Sequence, residues 1–528
     1  MVGKNNRVFF FLFFFVLLFS IVVNSLNNNA IKKDVASRYQ SELVYDSTVR
    51  SVDDPWYTTQ IKNYVLGEGF TIDSSDPVMS VRRTPGYPLF YGAHYMLFGE
   101  EYAHKIIPYT QSIIFALSAV ILGMIVRLIT GNAILGHVLT FLYGTSLFFI
   151  GYLNYTITES IHPSIVIFSL YYAVRYFYEN DNFLYRYIVL SSFFCAIATL
   201  TRPTNGILIV ALIAAVLSDN RFNFFKKIRS AFLVSLTFGL LFTPWVIHNY
   251  IKINKFVFLE AYYESEPFGG FGAKHTALID WWMSWGDPRA LTLHGQISDD
   301  LSKPNPYRSI DSFINKQVPE YTYIGYSKDD LRNAFILYQN CANERIELYQ
   351  GKTKKEDLES ARKKWGPGVQ NIDLMKEKWG EEPLECESNV ASKFHYFRDK
   401  IKYGAPVRYY IVTPVLIRGV KYIFHSFTGA IASLNPADKN FSYTQYFAKA
   451  ISYVTNVVLW FASLLYLFFK RPKTEKILFG LFFFSSFVFF IYFRWVETRY
   501  MIAAYPFMYI MSTMVFVSLW KTLKTIIK

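Results

Sequence analysis

Asp53-Asp54-Pro55-Trp56-Tyr57, Gly67-Glu68-Gly69-Phe70 and Arg82-Arg83-Thr84-Pro85-Gly86-Tyr87-Pro88 lie in one polar stretch between two apolar runs. Each of those runs is long enough to cross a membrane. Carboxylates, two adjacent arginines and a Pro-Gly turn therefore sit together at a membrane surface. Arginines suit bidentate contact with phosphate, so this grouping fits chemistry on an anionic lipid headgroup.

The composition agrees with a membrane setting. Of 528 residues, 52% are hydrophobic and 19% aromatic, with 50 Phe and 40 Tyr, while only 18% are charged. A span needs about 20 apolar residues to cross a hydrocarbon core of about 30 Å. Arg7–Leu26 is such a run, with Lys4 and Arg7 at its start and Asn27-Asn28-Asn29 after it. No small-residue cleavage site follows, so it reads as a retained first span rather than a signal peptide. Further spans are expected over Ile106–Leu128, Ala133–Tyr152, His162–Tyr178, Tyr187–Leu200, Gly206–Leu217, Ala231–Ile251, Tyr446–Phe469, Ile477–Phe493 and Met501–Trp520. The expected fold is an all-α polytopic membrane protein with about ten spans, in a range of roughly nine to thirteen, plus a mainly helical extracytoplasmic region.

Charge gives the orientation. Inner loops on this reading carry Arg127; Arg175 and Arg186; Arg221, Lys226, Lys227 and Arg229; Lys470, Arg471, Lys473 and Lys476; and the tail Lys521, Lys524 and Lys528. That is a positive-inside pattern, with both termini cytoplasmic in a plasma (inner) membrane. Residues 301–400 hold 17 Lys/Arg and 16 Asp/Glu, the near balance of a translocated region. The formal net charge of +14 is then mostly a topology signal, and nucleic acid is not an expected partner.

Three parts follow. Residues 1–260 form an N-terminal transmembrane module with a first external loop at 27–105, residues 261–445 an extracytoplasmic domain, and residues 446–528 the C-terminal spans. Asp329 or Asp330 is placed to cap a helix over 329–349, and 354–365 also reads as helical. Cys341 and Cys386 share the outer region, where oxidation is permitted, and are expected to form a disulfide. Cys195 lies within a span as a small apolar residue. No His/Cys cluster has metal-ligand spacing. No cofactor is expected, and a divalent metal is not implied.

Polar groups recur at the outer ends of spans: Thr158-Glu159, Thr201-Arg202-Pro203-Thr204, Pro244-Trp245 through His248-Asn249-Tyr250, and Glu497-Thr498-Arg499-Tyr500. Ionisable residues at membrane depth are costly and usually paired or functional. Singly, each has a plainer reading. Glu159 would be a solvated helix end, Arg202 would snorkel, Arg499 would pair with Glu497, and Asp54 would cap the helix from Pro55. Their shared sidedness points instead to the wall of one cavity.

These motifs resemble GT-C glycosyltransferases of the PMT/ArnT/Rgt type. The first loop of that family has an Asp-x-x-Tyr element, matched by Asp54 and Tyr57, then Gly-x-Gly-aromatic, matched by Gly67, Gly69 and Phe70. A basic-x-Pro-Gly-Tyr-Pro element follows, matched by Arg83, Pro85, Gly86, Tyr87 and Pro88. Gln111, Thr158-Glu159, Leu200–Thr204, Pro244 to Tyr250 and Glu497-x-Arg499-Tyr500 with Pro506 also resemble it, in order. His248 departs, since the family commonly has Arg there. The resemblance covers about residues 1–260 and 446–520.

It implies transfer of a sugar from a polyprenyl-phosphate donor to an acceptor hydroxyl on a glycolipid, polysaccharide or protein, outside the membrane and with inversion. Asp54 is implied as general base, with Asp53 beside it and Glu159 orienting the acceptor. Arg83 is implied as the phosphate contact, with Arg82, Tyr57, Tyr87, Arg202, His248, Asn249, Glu497 and Arg499 as further substrate-binding residues. Two alternatives stay open: a flippase or transporter for lipid-linked glycans, and an O-antigen ligase or polymerase.

Overall fold

A computed structural model describes residues 2–38, 53–74, 77–179, 184–260, 272–286, 308–349, 385–434, 441–492 and 498–527. Every regular element among them is a helix. Seven helices are long and apolar enough to cross a membrane: Arg7–Lys32, Gly86–Thr130, Leu184–Thr201, Phe224–Ile253, Tyr443–Tyr466, Lys473–Tyr492 and Arg499–Ile526. The other three expected spans are shorter helices. These are Ala133–Gly144 with 12 residues, His162–Tyr178 with 17 and Ile207–Leu217 with 11.

The helices of the first part are α1 (Val2–Arg38), α2 (Pro55–Val65), α3 (Gly86–Thr130), α4 (Ala133–Gly144) and α5 (Leu147–Ile150). They continue with α6 (His162–Tyr178), α7 (Leu184–Thr201), α8 (Ile207–Leu217) and α9 (Phe224–Ile253). Three boundaries differ from the sequence expectation. α1 runs on through Asn27–Arg38, where the sequence predicts the first external loop. Its asparagines find tertiary partners: Asn24 donates to Ser112 Oγ at 3.3 Å and Asn27 to the Ala430 carbonyl at 3.2 Å. α3 starts 20 residues before the expected Ile106, with a kink at Gly99. The expected span Ala133–Tyr152 breaks after Gly144, where Thr145 leaves helical geometry and Ser146 is extended. Gly, Thr and Ser are weak helix formers, so the break falls where propensity is lowest.

The chain forms two compact units. One comprises Met1–Glu260, Ile423–Phe487 and Thr498–Lys528, and the other Ala261–Tyr422 and Val488–Glu497. Residues 423–445 thus group with the first unit rather than with the region before them. In the first unit α6 packs on α7, α3 on α4 and α6, and α7 on α9. α2 lies on α3 through a small core of Ile61, Tyr87, Tyr91, Ala103 and Ile107.

The second unit has its own core. Helices Gly272–Met283, Arg308–Gln317, Lys328–Tyr349 and Glu385–Gly404 bury Trp281, Phe335, Tyr338 and Phe394, among others. The Cys341–Cys386 disulfide ties the third of these helices to the fourth. Beside it lies a buried ion pair, Lys274 with Glu387 at 3.0 Å. The cap of Lys328–Tyr349 is Ser327, one residue before the helix, rather than Asp329 or Asp330. Asp330 sits three residues on and returns the bond: its N–H donates to Ser327 Oγ, and its carboxylate accepts from the Ser327 N–H at 2.8 Å. This is a capping box. The helix expected over 354–365 lies outside the described residues.

Candidate active site

The polar stretch takes its shape from its glycines and its aspartates. Asp54 stands at the N-cap position of α2, but its backbone is helical and its side chain makes no capping bond. A capping residue needs extended backbone to turn its carboxylate onto the first turn. The Asp54 carboxylate turns inward instead. It accepts from Thr156 Oγ1 and from Thr58 Oγ1, the latter at 3.3 Å, with His104 Nε2 3.8 Å away. Asp54 is 2% exposed, so the capping reading of its side chain does not hold.

After α2, Gly67 and Gly69 both take positive φ, +85° and +89°, a region that strains any residue with a Cβ. The turn they make sets Phe70 edge-on to Trp245 and His248 of α9. Gly86 is needed for a different reason. A Cβ there would lie 2.5 Å from the Thr201 nitrogen and 2.6 Å from the Leu200 carbonyl carbon. The Pro85-Gly86 turn can therefore press backbone to backbone on the end of α7, next to Arg202.

Four ionic side chains from distant parts of the sequence meet in one chain. Arg499 Nη1 donates to Asp53 Oδ2 at 2.9 Å, and its Nε lies 3.6 Å from Glu159 Oε1. The same Glu159 oxygen is 2.7 Å from Arg202 Nη1. Thr158 Oγ1 bridges the pair, accepting from Arg202 and donating to Glu159 Oε2, each at 3.0 Å. Both guanidiniums also face the Tyr500 ring. Burial alone would raise the Glu159 carboxyl, but Arg202 and then Arg499 hold it down at about 2. Burial would likewise lower Arg202, yet Glu159 leaves it raised. Glu159 is enclosed at 3% side-chain exposure, whereas Asp53 is open at 35%.

Arg83 stands on the other side of Tyr57. Its guanidinium lies 5.5 Å from the Tyr57 ring centre and 3.9 Å from Glu260 Oε2. Glu260 also accepts from the Thr84 N–H at 3.2 Å, so an arginine and a backbone donor together face one carboxylate. Burial raises the Glu260 carboxyl despite the opposing pull of Arg83. The Tyr57 hydroxyl is raised by burial, and it feels Arg83, Glu159, Asp53 and Arg202. Tyr57 is thus central to both charged groups. Arg82 is separate: it is buried on the Trp56 ring at 4.4 Å.

No family model matches this chain, and no curated protein matches it. Among solved structures, the crystal structure of ArnT from Cupriavidus metallidurans bound to undecaprenyl phosphate is similar at a TM-score of 0.35. The identity is 11%, over 96% of this chain and 77% of that one. A likeness that shallow carries no weight for fold or activity, so the site rests on its own geometry.

Other expected site residues have structural duties. Tyr87 is fully buried and donates to Gln111 Oε1 at 2.9 Å. Gln111 in turn ties down the 153–160 segment through Leu153, Tyr155 and Ser160. Asn249 is buried and donates to the Val257 carbonyl at 2.8 Å, while Trp245 Nε1 reaches the Leu259 carbonyl at 2.6 Å. His248 stacks on Trp245, with Nε2 3.3 Å from the Ser80 carbonyl. The Pro-Trp-x-x-His-Asn-Tyr element therefore anchors the returning segment 257–260. Glu497 lies outside the described residues.

Three residues around the site went unread in the sequence: Glu260, Thr156 and His104. The signal for Glu260 was Asn254, which ends α9 in a left-handed conformation and turns the chain back. Nothing local marked Thr156 or His104. Among the described residues, no group of three or more His, Cys, Asp or Glu side chains could hold a metal ion.

Proposed function

We propose that this chain is a membrane glycosyltransferase of GT-C type, moving a sugar from a polyprenyl-phosphate donor to an acceptor hydroxyl on the outer face. The observation that carries the reading is the Asp53–Arg499–Glu159–Arg202 chain, which gathers residues 53, 159, 202 and 499 into one polar site. Such a site fits inverting displacement at an anomeric carbon. The acceptor oxygen bonds to that carbon as its proton passes to a carboxylate, and the carbon–oxygen bond to phosphate breaks. Polyprenyl phosphate leaves with the electron pair. Arg83 supports a phosphate contact at Tyr57, and the apolar helices suit the tail.

A general base must come within hydrogen-bond reach of the acceptor. Asp54 was implied for that role by its spacing to Tyr57. Its 2% exposure and its bonds to Thr156 and Thr58 favour a positioning role, holding α2 against the 153–160 segment. The open carboxylate of Asp53 suits the base better, with Arg499 orienting it. Glu159, paired with both arginines, keeps them fixed beneath the reacting groups.

The test is complementation of a gene deletion, read by the masses of envelope glycolipids and glycoproteins. The deletion should lose a pentose or hexose from one species. Asp53→Asn should fail to restore it, with turnover lower by about 100–10,000-fold. Asp54→Asn should retain measurable turnover with a lower unfolding temperature. Unchanged masses on deletion would end the glycosyl-transfer reading. A dead Asp54→Asn beside an active Asp53→Asn would return the base to Asp54.

A further inference from the structure

The second unit contains a cavity of about 420 Å3 that the proposed transfer chemistry does not use. Its walls carry one carboxylate, Asp280, with Arg398, Lys402 and Arg418, and the rings of Tyr409, Tyr410 and Tyr492. Pockets of this size suit a sugar-sized or headgroup-sized ligand.

Arg418 is the decisive member. It is 5% exposed, and among the described residues no carboxylate lies within ion-pair range of it. Among the described residues its hydrogen bonds run from Nη2 to the Met283 carbonyl at 3.1 Å and from Nη1 to Met283 Sδ at 3.9 Å. The Nε–H is buried without an acceptor among the described residues. A guanidinium offers five donors, and a buried one left without a counter-charge is expensive. Burial lowers Arg418 to about 10, which still leaves it cationic at neutral pH. Arg398, by contrast, is already matched by Asp399 at 2.8 Å and Asp280 at 3.5 Å. Three cations, Arg398, Lys402 and Arg418, against Asp280 and Asp399 leave one positive charge in surplus, and Arg418 is the buried cation that no carboxylate meets among the described residues.

The setting of the cavity indicates what brings the anion. Tyr492 ends an apolar helix of spanning length. Val407, Ile411, Leu416 and Val420 are exposed at four- to five-residue spacing along the segment that carries Arg418. An apolar face of that kind, flanked by Lys402, Tyr403 and Tyr410, matches an element lying at a membrane interface. We propose that this cavity binds a phosphate-class oxyanion on a molecule at the membrane surface, with Arg418 as its main cation, Lys402 as a second, and the tyrosine rings packing the group that carries it.

The purified full-length protein tests this by its unfolding temperature, since a ligand of the folded state stabilises it in proportion to occupancy. The probes are inorganic phosphate, short-chain phosphatidic acid, short-chain phosphatidylcholine, and sodium chloride at matched ionic strength. Inorganic phosphate and phosphatidic acid should raise the midpoint above both controls. A response to phosphatidic acid at much lower concentration assigns the anion to a lipid head, and equal responses assign it to free phosphate. Arg418→Met should shift the dose curve by more than about thirtyfold, the cost of losing a buried charged contact. Lys402→Ala, a change at a half-buried position outside the aromatic core, should shift it by about threefold. No rise over the salt control in the wild type, or an unshifted curve in Lys402→Ala, would overturn the site. Asp53→Asn should keep the full response, so a failure of the transfer reading would show separately.

Discussion

Arg202 in the first unit and Arg418 in the second are both largely buried guanidiniums, yet they are compensated in opposite ways. Arg202 has Glu159 at 2.7 Å, and Glu159 is shared with Arg499. Arg418 has a backbone carbonyl and no carboxylate among the described residues. The alternating charges of the first unit need no ligand to be stable, so they suit a site whose geometry must stand ready before substrate arrives. Arg418, which no carboxylate meets among the described residues, gains from an incoming anion. Burial alone therefore says little about the purpose of an arginine, and its counter-charge says much more. Both units bury ion pairs, and the second adds a disulfide between two of its helices.

The sharpest way to break this contrast is to delete each arginine and follow unfolding of the purified protein. Arg202→Met leaves Glu159 buried with only Arg499 3.6 Å away. The expected loss is about 3 kcal/mol, toward the low end for breaking one side of a buried pair. Arg418→Met strands no carboxylate and should be neutral or stabilising. Equal losses for the two would remove the distinction.

Next comes the disulfide. Cys341→Ser with Cys386→Ser should destabilise the second unit by about 2–4 kcal/mol, because the bridge closes a 45-residue separation. Proteolysis should then speed up within residues 272–422 and stay unchanged within 86–253. Acceleration in both regions would mean that the units do not unfold independently.

A third test is pH dependence. The Glu159 carboxyl sits at about 2 against an ordinary 4.5, so its pairing contributes in full above pH 4.5. That contribution is lost as pH falls from 4.5 through 2. Wild-type unfolding temperature should drop across that window, and Glu159→Gln should show a shallower drop. Parallel curves would mean that the Glu159 pairing contributes no pH-dependent stability.

The motif spacing selected Asp54 over Asp53, since two residues lie between Asp54 and Tyr57 in an Asp-x-x-Tyr element. The two neighbours then part company at a helix start. With Asp54 already helical, its side chain points to Thr156, while Asp53, one residue earlier, points to Arg499. A difference of one residue at a helix terminus is invisible to spacing. Asn249 and Tyr87 were also singled out by motif; in the fold Asn249 holds the Val257 carbonyl and Tyr87 holds Gln111. Glu260 was missed because its place depends on the fold-back after Asn254.

Apolar run length and helix propensity are local properties, so the helical class, the apolar segments and the polar stretch between them could be read from residue order alone. The sequence also marked Arg202, Glu159 and Arg499 as unusual, since charge beside a long apolar run is costly wherever it occurs. What the tertiary structure alone decided was which charges meet. Residues 53, 159, 202 and 499 are joined by distances of 2.7–3.6 Å across sequence gaps that no local rule can bridge. That no carboxylate meets Arg418 among the described residues has the same physical reason. Coulomb energy depends on separation in space, and only packing sets that separation.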